Sequence, residues 1–318
     1  MSNLEREPHE TACGGEGEAA EGPVRELLAG RDVVLGGTRG IKVTRTLPGR
    51  ERRMVGAWCF LDHYGPERAT MSVGPHPHTG LQTVTWLLEG EVLHRDSVGS
   101  EQLIGPGRLN IMTAGRAIAH SEESVRPDSV IHGVQLWVAL PSASRHAEPS
   151  FEHHADLPRL VAPGVQVTVF AGELAGLVSP ARVHSPLTGA EAAFDDRSAI
   201  TLPLRPDFEY AVLTLSGEVE ADGTRLTPGP LLYLGSGRSE IALASAGQGR
   251  ALLLGGEPFE EEILMWWNFV GRDQQEIERF RKEWEQGAAF GDVGGTALAR
   301  IPAPPLPTIR LKPRGRRR

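Results

Sequence analysis

The sequence predicts an all-β chain of two jelly-roll β-barrel domains, followed by a short C-terminal amphipathic helix. Three observations carry that expectation. From Thr83 onward, short apolar and β-branched segments alternate with Gly and Pro turns, with no ten-residue helical stretches between them. That pattern favours closed antiparallel sheets over βαβ units. The chain also repeats itself: LLEGEV at 87–92 returns as LSGEV at 215–219, and IGPGRLNIMTAGR at 104–116 returns as LTPGPLLYLGSGR at 226–238. Two copies of one β unit imply two similar barrels packed together. Finally, Ile277, Phe280 and Trp284 recur at helical spacing between Asp273 and Glu285, with Glu278 and Lys282 as a supporting i, i+4 pair.

The stretch from Gly74 to Glu122 organises the first unit. It opens with His76 and His78 and closes with His120 and Glu122. Side chains repeat every two residues along a strand, so each pair shares a face. If both faces point into one barrel, three imidazoles and a carboxylate converge. Pro75 and Pro77 cannot donate to a ladder, which places the first pair on an edge or strand entrance. The donor set suits a borderline divalent ion and differs from the all-oxygen shells of calcium or magnesium. Zinc would accept it in a closed tetrahedral site, whereas a redox centre needs about six positions with two left open. The second unit lacks these residues: in register with the repeat, Pro203, Arg205, Ala242 and Ala244 stand in their places.

Taken in order, residues 1–23 are rich in Gly and Glu and are expected to form a flexible tail. Asp32 to Thr46 reads as a hairpin around GGTRG, a glycine turn too short for a phosphate loop. WCFLDHYGP is a strand ending in a turn, where His63 either makes a local hydrogen bond or lies at the pocket mouth. The first domain is expected over 24–150 and the second, with the helix, over 151–290. Between them, His146, His153 and His154 are expected in an exposed loop. Residues 291–318 are proline-rich, then carry Arg310, Lys312, Arg314, Arg316, Arg317 and Arg318, and read as a flexible tail.

At 318 residues, 40% hydrophobic and 23% charged, the chain is long enough for two cored domains. Its net charge of -8 gives no general attraction to nucleic acid, for which the basic C-terminal tail is the one candidate contact. Two cysteines, Cys13 and Cys59, form no disulfide framework and suit a reducing compartment. With no signal-peptide pattern and no 18-residue apolar run, the expectation is a cytoplasmic chain without membrane contact, and a monomer.

LDHYGP at 61–66, HPHTG at 76–80 before LLEGEV, MTAGRAIAHSE at 112–122, GVQLWVALP at 133–141, LLLGGEPF at 252–259 and NFV at 268–270 resemble the pirin family, over about residues 33–285. That resemblance implies two cupin (jelly-roll β-barrel) domains and one metal ion held by His76, His78, His120 and Glu122. It favours Fe(II) over Mn, Ni, Co, Cu or Zn. Members resemble quercetinases, which open a flavonol with O2 and release carbon monoxide. The implied activity is therefore a metal-dependent dioxygenase acting on a small aromatic substrate, with Glu122 as ligand and proton acceptor. The alternative is an iron-dependent redox-sensing or transcriptional co-regulator protein. The absence of a DNA-binding motif favours the enzyme. Two positions depart from the family pattern: Thr79 stands where Arg is common and Gln82 where Glu is usual. Gln82, Thr79 and His63 are the residues expected beside the ligands or lining the pocket.

Overall fold

The computed structural model describes residues 11–13, 22–35, 41–313 and 316. Most of the expected N-terminal tail, the GGTRG turn, and Arg314, Arg317 and Arg318 lie outside the described residues. The first half of the chain forms β1 (Thr11–Cys13), β2 (Pro23–Leu28), β3 (Arg31–Leu35), β4 (Ile41–Leu47), β5 (Trp58–Ala69), β6 (Ser72–His78), β7 (Leu81–Glu89), β8 (Val92–Asp96), β9 (Glu101–Ile104), β10 (Leu109–Thr113), β11 (Ile118–Ser124), β12 (Ser129–Ala139) and β13 (Ser150–His154). The second forms β14 (Arg159–Ala162), β15 (Val165–Leu174), β16 (Leu177–Val178), β17 (Leu187–Phe194), β18 (Ser198–Pro203), β19 (Glu209–Ser216), β20 (Val219–Ala221), β21 (Thr224–Leu226), β22 (Leu231–Gly235), β23 (Glu240–Ser245), β24 (Gly249–Gly256), β25 (Ile263–Trp266), β26 (Phe269–Gly271) and α1 (Gln274–Glu285).

The repeat is visible in the topology. A seven-stranded sheet, β13-β10-β7-β12-β5-β4-β3, lies with a four-stranded sheet, β6-β11-β8-β9. The second half matches it with β14-β15-β17-β24-β19-β22-β2 and β18-β23-β20-β21, β16 pairing with β15. The strands flanking the repeated turns correspond, β7 with β19 and β10 with β22. At the outer edge of the first half's large sheet β13 pairs with β10, whereas in the second half's sheet that edge is taken by β2, from the start of the chain, which pairs with β22.

The expected closed barrels are not found. Each half is a sandwich of two open sheets, joined by side chains rather than by a ladder. Val73, Val92 and Ile104 of the small first sheet pack on Val43, Tyr64 and Leu87 of the large one. Alternating apolar residues decide which face is buried, but they do not decide whether edge strands pair. The two large sheets then pack on each other through Trp58, Phe60, Trp86 and Leu136 of the first half and Phe170, Leu187, Leu213 and Leu252 of the second. The Trp58 indole N–H donates to the carbonyls of Thr188 and Gly255, both at 3.1 Å.

Helix α1 forms where the spacing places it. Asp273 caps it by accepting the Glu276 N–H at 2.9 Å, and Ile277, Phe280 and Trp284 are its buried face. That face packs with Trp266, Phe269 and Phe290. The C-terminal segment, expected to be flexible, instead runs over α1 and β6, with Ala303 and Leu311 buried. Ile301 donates its N–H to the Pro75 carbonyl at 2.8 Å and accepts the Trp284 indole N–H at 2.9 Å. β6 is the edge of its sheet, so its outward carbonyls are open to such a partner. Among the described residues, no helix is long and apolar enough to cross a membrane.

Candidate metal centre

β6 and β11 run antiparallel with His76 opposite His120 and His78 opposite Ile118. This register brings the three imidazoles together. Ring centroids are 5.1 Å apart for His76 and His78, 4.3 Å for His76 and His120, and 5.0 Å for His78 and His120. One ring nitrogen from each lies within 4.8 Å of the others. His78 Nε2 and His120 Nε2 are 3.1 Å apart. Two donors each about 2.1 Å from one ion would lie roughly 3.0 to 3.4 Å apart at neighbouring positions, so this spacing fits.

All three rings are buried, with relative exposure of 0% for His76 and His78 and 1% for His120. Burial pushes the His76 imidazole down to about 4, against the opposing pull of the Glu122 charge. Burial, and then the neighbouring imidazoles, hold His78 and His120 well below the ordinary histidine value. The neutral imidazole is the ligand form. His76 Nδ1 lies 2.9 Å from the Gly74 carbonyl, which accepts its N–H and leaves Nε2 unprotonated. A histidine-based metal-binding site is therefore present in the first half.

Glu122 is buried two residues beyond His120, but its carboxylate falls outside the 4.8 Å histidine group. The ladder shifts between them: His120 faces His76, whereas Glu122 faces Val73, so β6 carries an extra residue there. Gln82 is fully buried, and its amide nitrogen donates to Thr113 Oγ1 at 2.9 Å and to the Arg182 carbonyl at 3.0 Å. The parity that links His76 and His78 does not continue to it. Gly80 turns at φ +68, and β6 and β7 lie in different sheets. Thr79 is buried at that corner, its carbonyl accepting the Val270 N–H at 3.0 Å. His63 sits on β5 with Nε2 3.0 Å from His132 Nε2. Burial, and secondarily His132, push its imidazole down to about 4.

His146 is exposed, as expected. His153 and His154 lie on strand β13, half-buried, where His153 Nδ1 is 2.7 Å from Asn110 Oδ1 and His154 Nε2 is 3.0 Å from Glu152 Oε2. The sequence reading missed His94 and Asp96 of β8, both buried beside the centre. His94 Nδ1 is 3.3 Å from His120 Nδ1, and His94 Nε2 is 3.0 Å from Asp96 Oδ2. Burial alone would raise the Asp96 carboxyl, but hydrogen bonds from His94 and Ser100 outweigh it and hold the group below its usual value. A signal existed in VLHRD, where His94 and Asp96 repeat at i, i+2 as His76 and His78 do.

Two repeated sandwiches, the first holding the one buried histidine cluster found among the described residues, define a two-domain cupin protein. The family models for pirin and for the pirin C-terminal cupin domain match residues 40–138 and 190–291, and the chain belongs to the pirin family. It is 50% identical over 287 residues to a Pseudomonas aeruginosa protein provisionally named quercetin 2,3-dioxygenase, covering 89% of this chain and 90% of that relative. A pirin-like protein of Caulobacter vibrioides is 38% identical, over 77% of this chain and 88% of its own length. The crystal structure of a quercetin 2,3-dioxygenase from Acinetobacter baumannii superposes with a TM-score of 0.85 at 41% identity, covering 90% of this chain and 96% of that one.

Proposed function

We propose that this chain is a metal-dependent dioxygenase of the quercetin 2,3-dioxygenase type, opening the central ring of a flavonol with dioxygen and releasing carbon monoxide. The observation that carries the reading is the buried group of His76, His78 and His120. Relatives named for this activity align over nearly the whole chain, which supports it. His76, His78 and His120 would hold the ion, with Glu122 as the fourth ligand and Fe(II) as the metal. The 3.1 Å separation of His78 Nε2 and His120 Nε2 is one that two donors to a single ion would share. A bound divalent ion would supply Lewis acidity towards the flavonol 3-hydroxyl and redox capacity towards dioxygen.

The chain's own residues do the rest. The three imidazoles are kept neutral by burial and present lone pairs to one point. Glu122, buried on the same strand as His120, accepts the proton of the 3-hydroxyl. Trp137 stands edge-on to His78 with centroids 5.3 Å apart and stacks on Phe60 at 4.1 Å. This aromatic wall excludes water from one side of the site.

The test is anaerobic loading of the metal-free chain with Fe(II), followed by quercetin and dioxygen. Equimolar oxygen uptake with release of carbon monoxide is expected, and both should vanish in Glu122→Ala. Iron-loaded chain that consumes no flavonol would sink the enzyme reading in favour of a redox-sensing binding protein.

A further inference from the structure

We propose that Asp96 and His94 form a positioning relay that fixes the tautomer and orientation of His120, so that its Nε2 is presented to the metal. The inference rests on the histidine metal centre but not on the dioxygenase reaction.

The relay is built from the outside inwards. Asp96 closes the turn after β8: its Oδ1 accepts the N–H groups of Val98 at 3.0 Å and Ser100 at 2.9 Å. That leaves Oδ2, which lies 3.0 Å from His94 Nε2. A carboxylate only accepts, so His94 carries a proton on Nε2, and in the neutral ring its Nδ1 is then a bare lone pair. Facing this lone pair is His120 Nδ1, at 3.3 Å. His120 therefore carries its proton on Nδ1 and donates it to His94. Its Nε2 is then unprotonated and points at His78 Nε2, 3.1 Å away. Each assignment follows from the preceding one, and the whole chain starts at a carboxylate held by two backbone groups.

The ring planes are fixed as well. Phe151, on the edge strand β13, stacks on His94 with centroids 4.3 Å apart and an interplanar angle of 15°. His94 and Asp96 are each only 3% exposed, so water cannot readily replace either partner. His76 is oriented by the Gly74 carbonyl in a comparable way, and the two devices together leave two nitrogens facing one centre. Partners of this kind typically change metal affinity by about 10- to 100-fold when removed.

The experiment titrates metal-free protein with Co(II), whose visible absorption reports on the ligand set. His94→Phe keeps a ring against Phe151 but leaves the His120 Nδ1–H without its acceptor. Asp96→Asn offers His94 a donor or an acceptor, so the tautomer is no longer dictated. Both should bind Co(II) about 10- to 100-fold more weakly than wild type, with an altered spectrum and a native circular-dichroism profile. His94→Gln, whose Oε1 can accept from His120 Nδ1, should recover most of the affinity. A folded His94→Phe with unchanged affinity and spectrum overturns the relay, as does a His94→Gln no better than His94→Phe. Wild-type chain that binds no Co(II) removes the metal centre and the relay with it. Wild type that binds Co(II), with the variants graded as above, but consumes no quercetin when iron-loaded, removes only the enzyme reading.

Discussion

Trp86 of the first half donates its indole N–H to Glu191 Oε2 of the second, at 2.7 Å, beneath the packed faces of the two large sheets. Phe170 stacks on the same indole with centroids 5.1 Å apart. Glu191 is 6% exposed, and burial raises its carboxyl, with Arg250 and Trp86 opposing. The contact is thus a polar pin in a largely apolar seam, and it ties β7 of the first half's large sheet to the second half.

Removing the donor should be costly. Trp86→Phe leaves Glu191 with Arg250 alone, at 3.2 Å, and opens space beside Phe170. A loss of about 1 to 3 kcal/mol in urea unfolding is expected. Glu191→Gln keeps an acceptor for the indole and should lose less. Equal stability of Trp86→Phe and wild type would show that the seam does not depend on this bond.

The second expectation concerns the ligands. His76→Ala removes one of three converging nitrogens, so metal content after purification should fall sharply while unfolding of the metal-free chain changes little. The surrounding core is built by other residues, among them Val73, Leu87 and Ile118. Full metal content in the variant would exclude His76 as a ligand.

How much of this was legible before the structure follows from strand parity. His76 and His78 lie on one continuous strand, so period two put both on the face that meets His120. Ile277, Phe280 and Trp284 likewise described a helix that exists. Parity fails where the backbone leaves the ladder. The extra residue in β6 separates the registers of His120 and Glu122, and the turn at Gly80 moves Gln82 into another sheet. Barrel closure was not legible either, because Val73 packing on Val43 and Leu87 buries the same faces whether or not the sheet edges pair. His94 and Asp96 share a face by the same period, but VLHRD carries a single imidazole, and only the fold brings it beside His120.

The third expectation is a pH dependence of stability in the metal-free chain. His63 and His132 approach at 3.0 Å across β5 and β12, with Arg250 and Glu89 as the charges acting on His132. His63 is pushed down to about 4, by burial first and His132 second, and His132 is also lowered. Below the ordinary histidine value of about 6.5 the unfolded chain binds more protons than the folded one. Stability from this pair is therefore complete above about pH 6.5 and is lost as pH falls towards 4, by at most about 3 kcal/mol for His63. His63→Gln should flatten that slope in unfolding measured across the range. An unchanged slope would assign acid sensitivity to other groups.

The last expectation turns on Gln82, whose family counterpart is usually a glutamate. Its two nitrogen partners are unlike: Thr113 Oγ1 can donate or accept, but the Arg182 carbonyl can only accept. The amide therefore has to face Arg182 with its NH2 group, which fixes its orientation. A carboxylate in the same place would put oxygen against oxygen at about hydrogen-bond distance, in a fully buried position. Gln82→Glu is relieved only by protonation, when its O–H can donate to the Arg182 carbonyl. Its folded-state pKa is thereby raised above the unfolded value, so the stability it contributes is present at low pH and lost as pH rises through the folded value. The variant should match wild type near pH 4 and fall behind by about 1 to 3 kcal/mol near pH 8. Metal content should stay unchanged, because neither Thr113 nor Arg182 belongs to the histidine group. Loss of metal without any pH-dependent loss of stability would mean that residue 82 acts on the centre directly and that Arg182 is not what holds it.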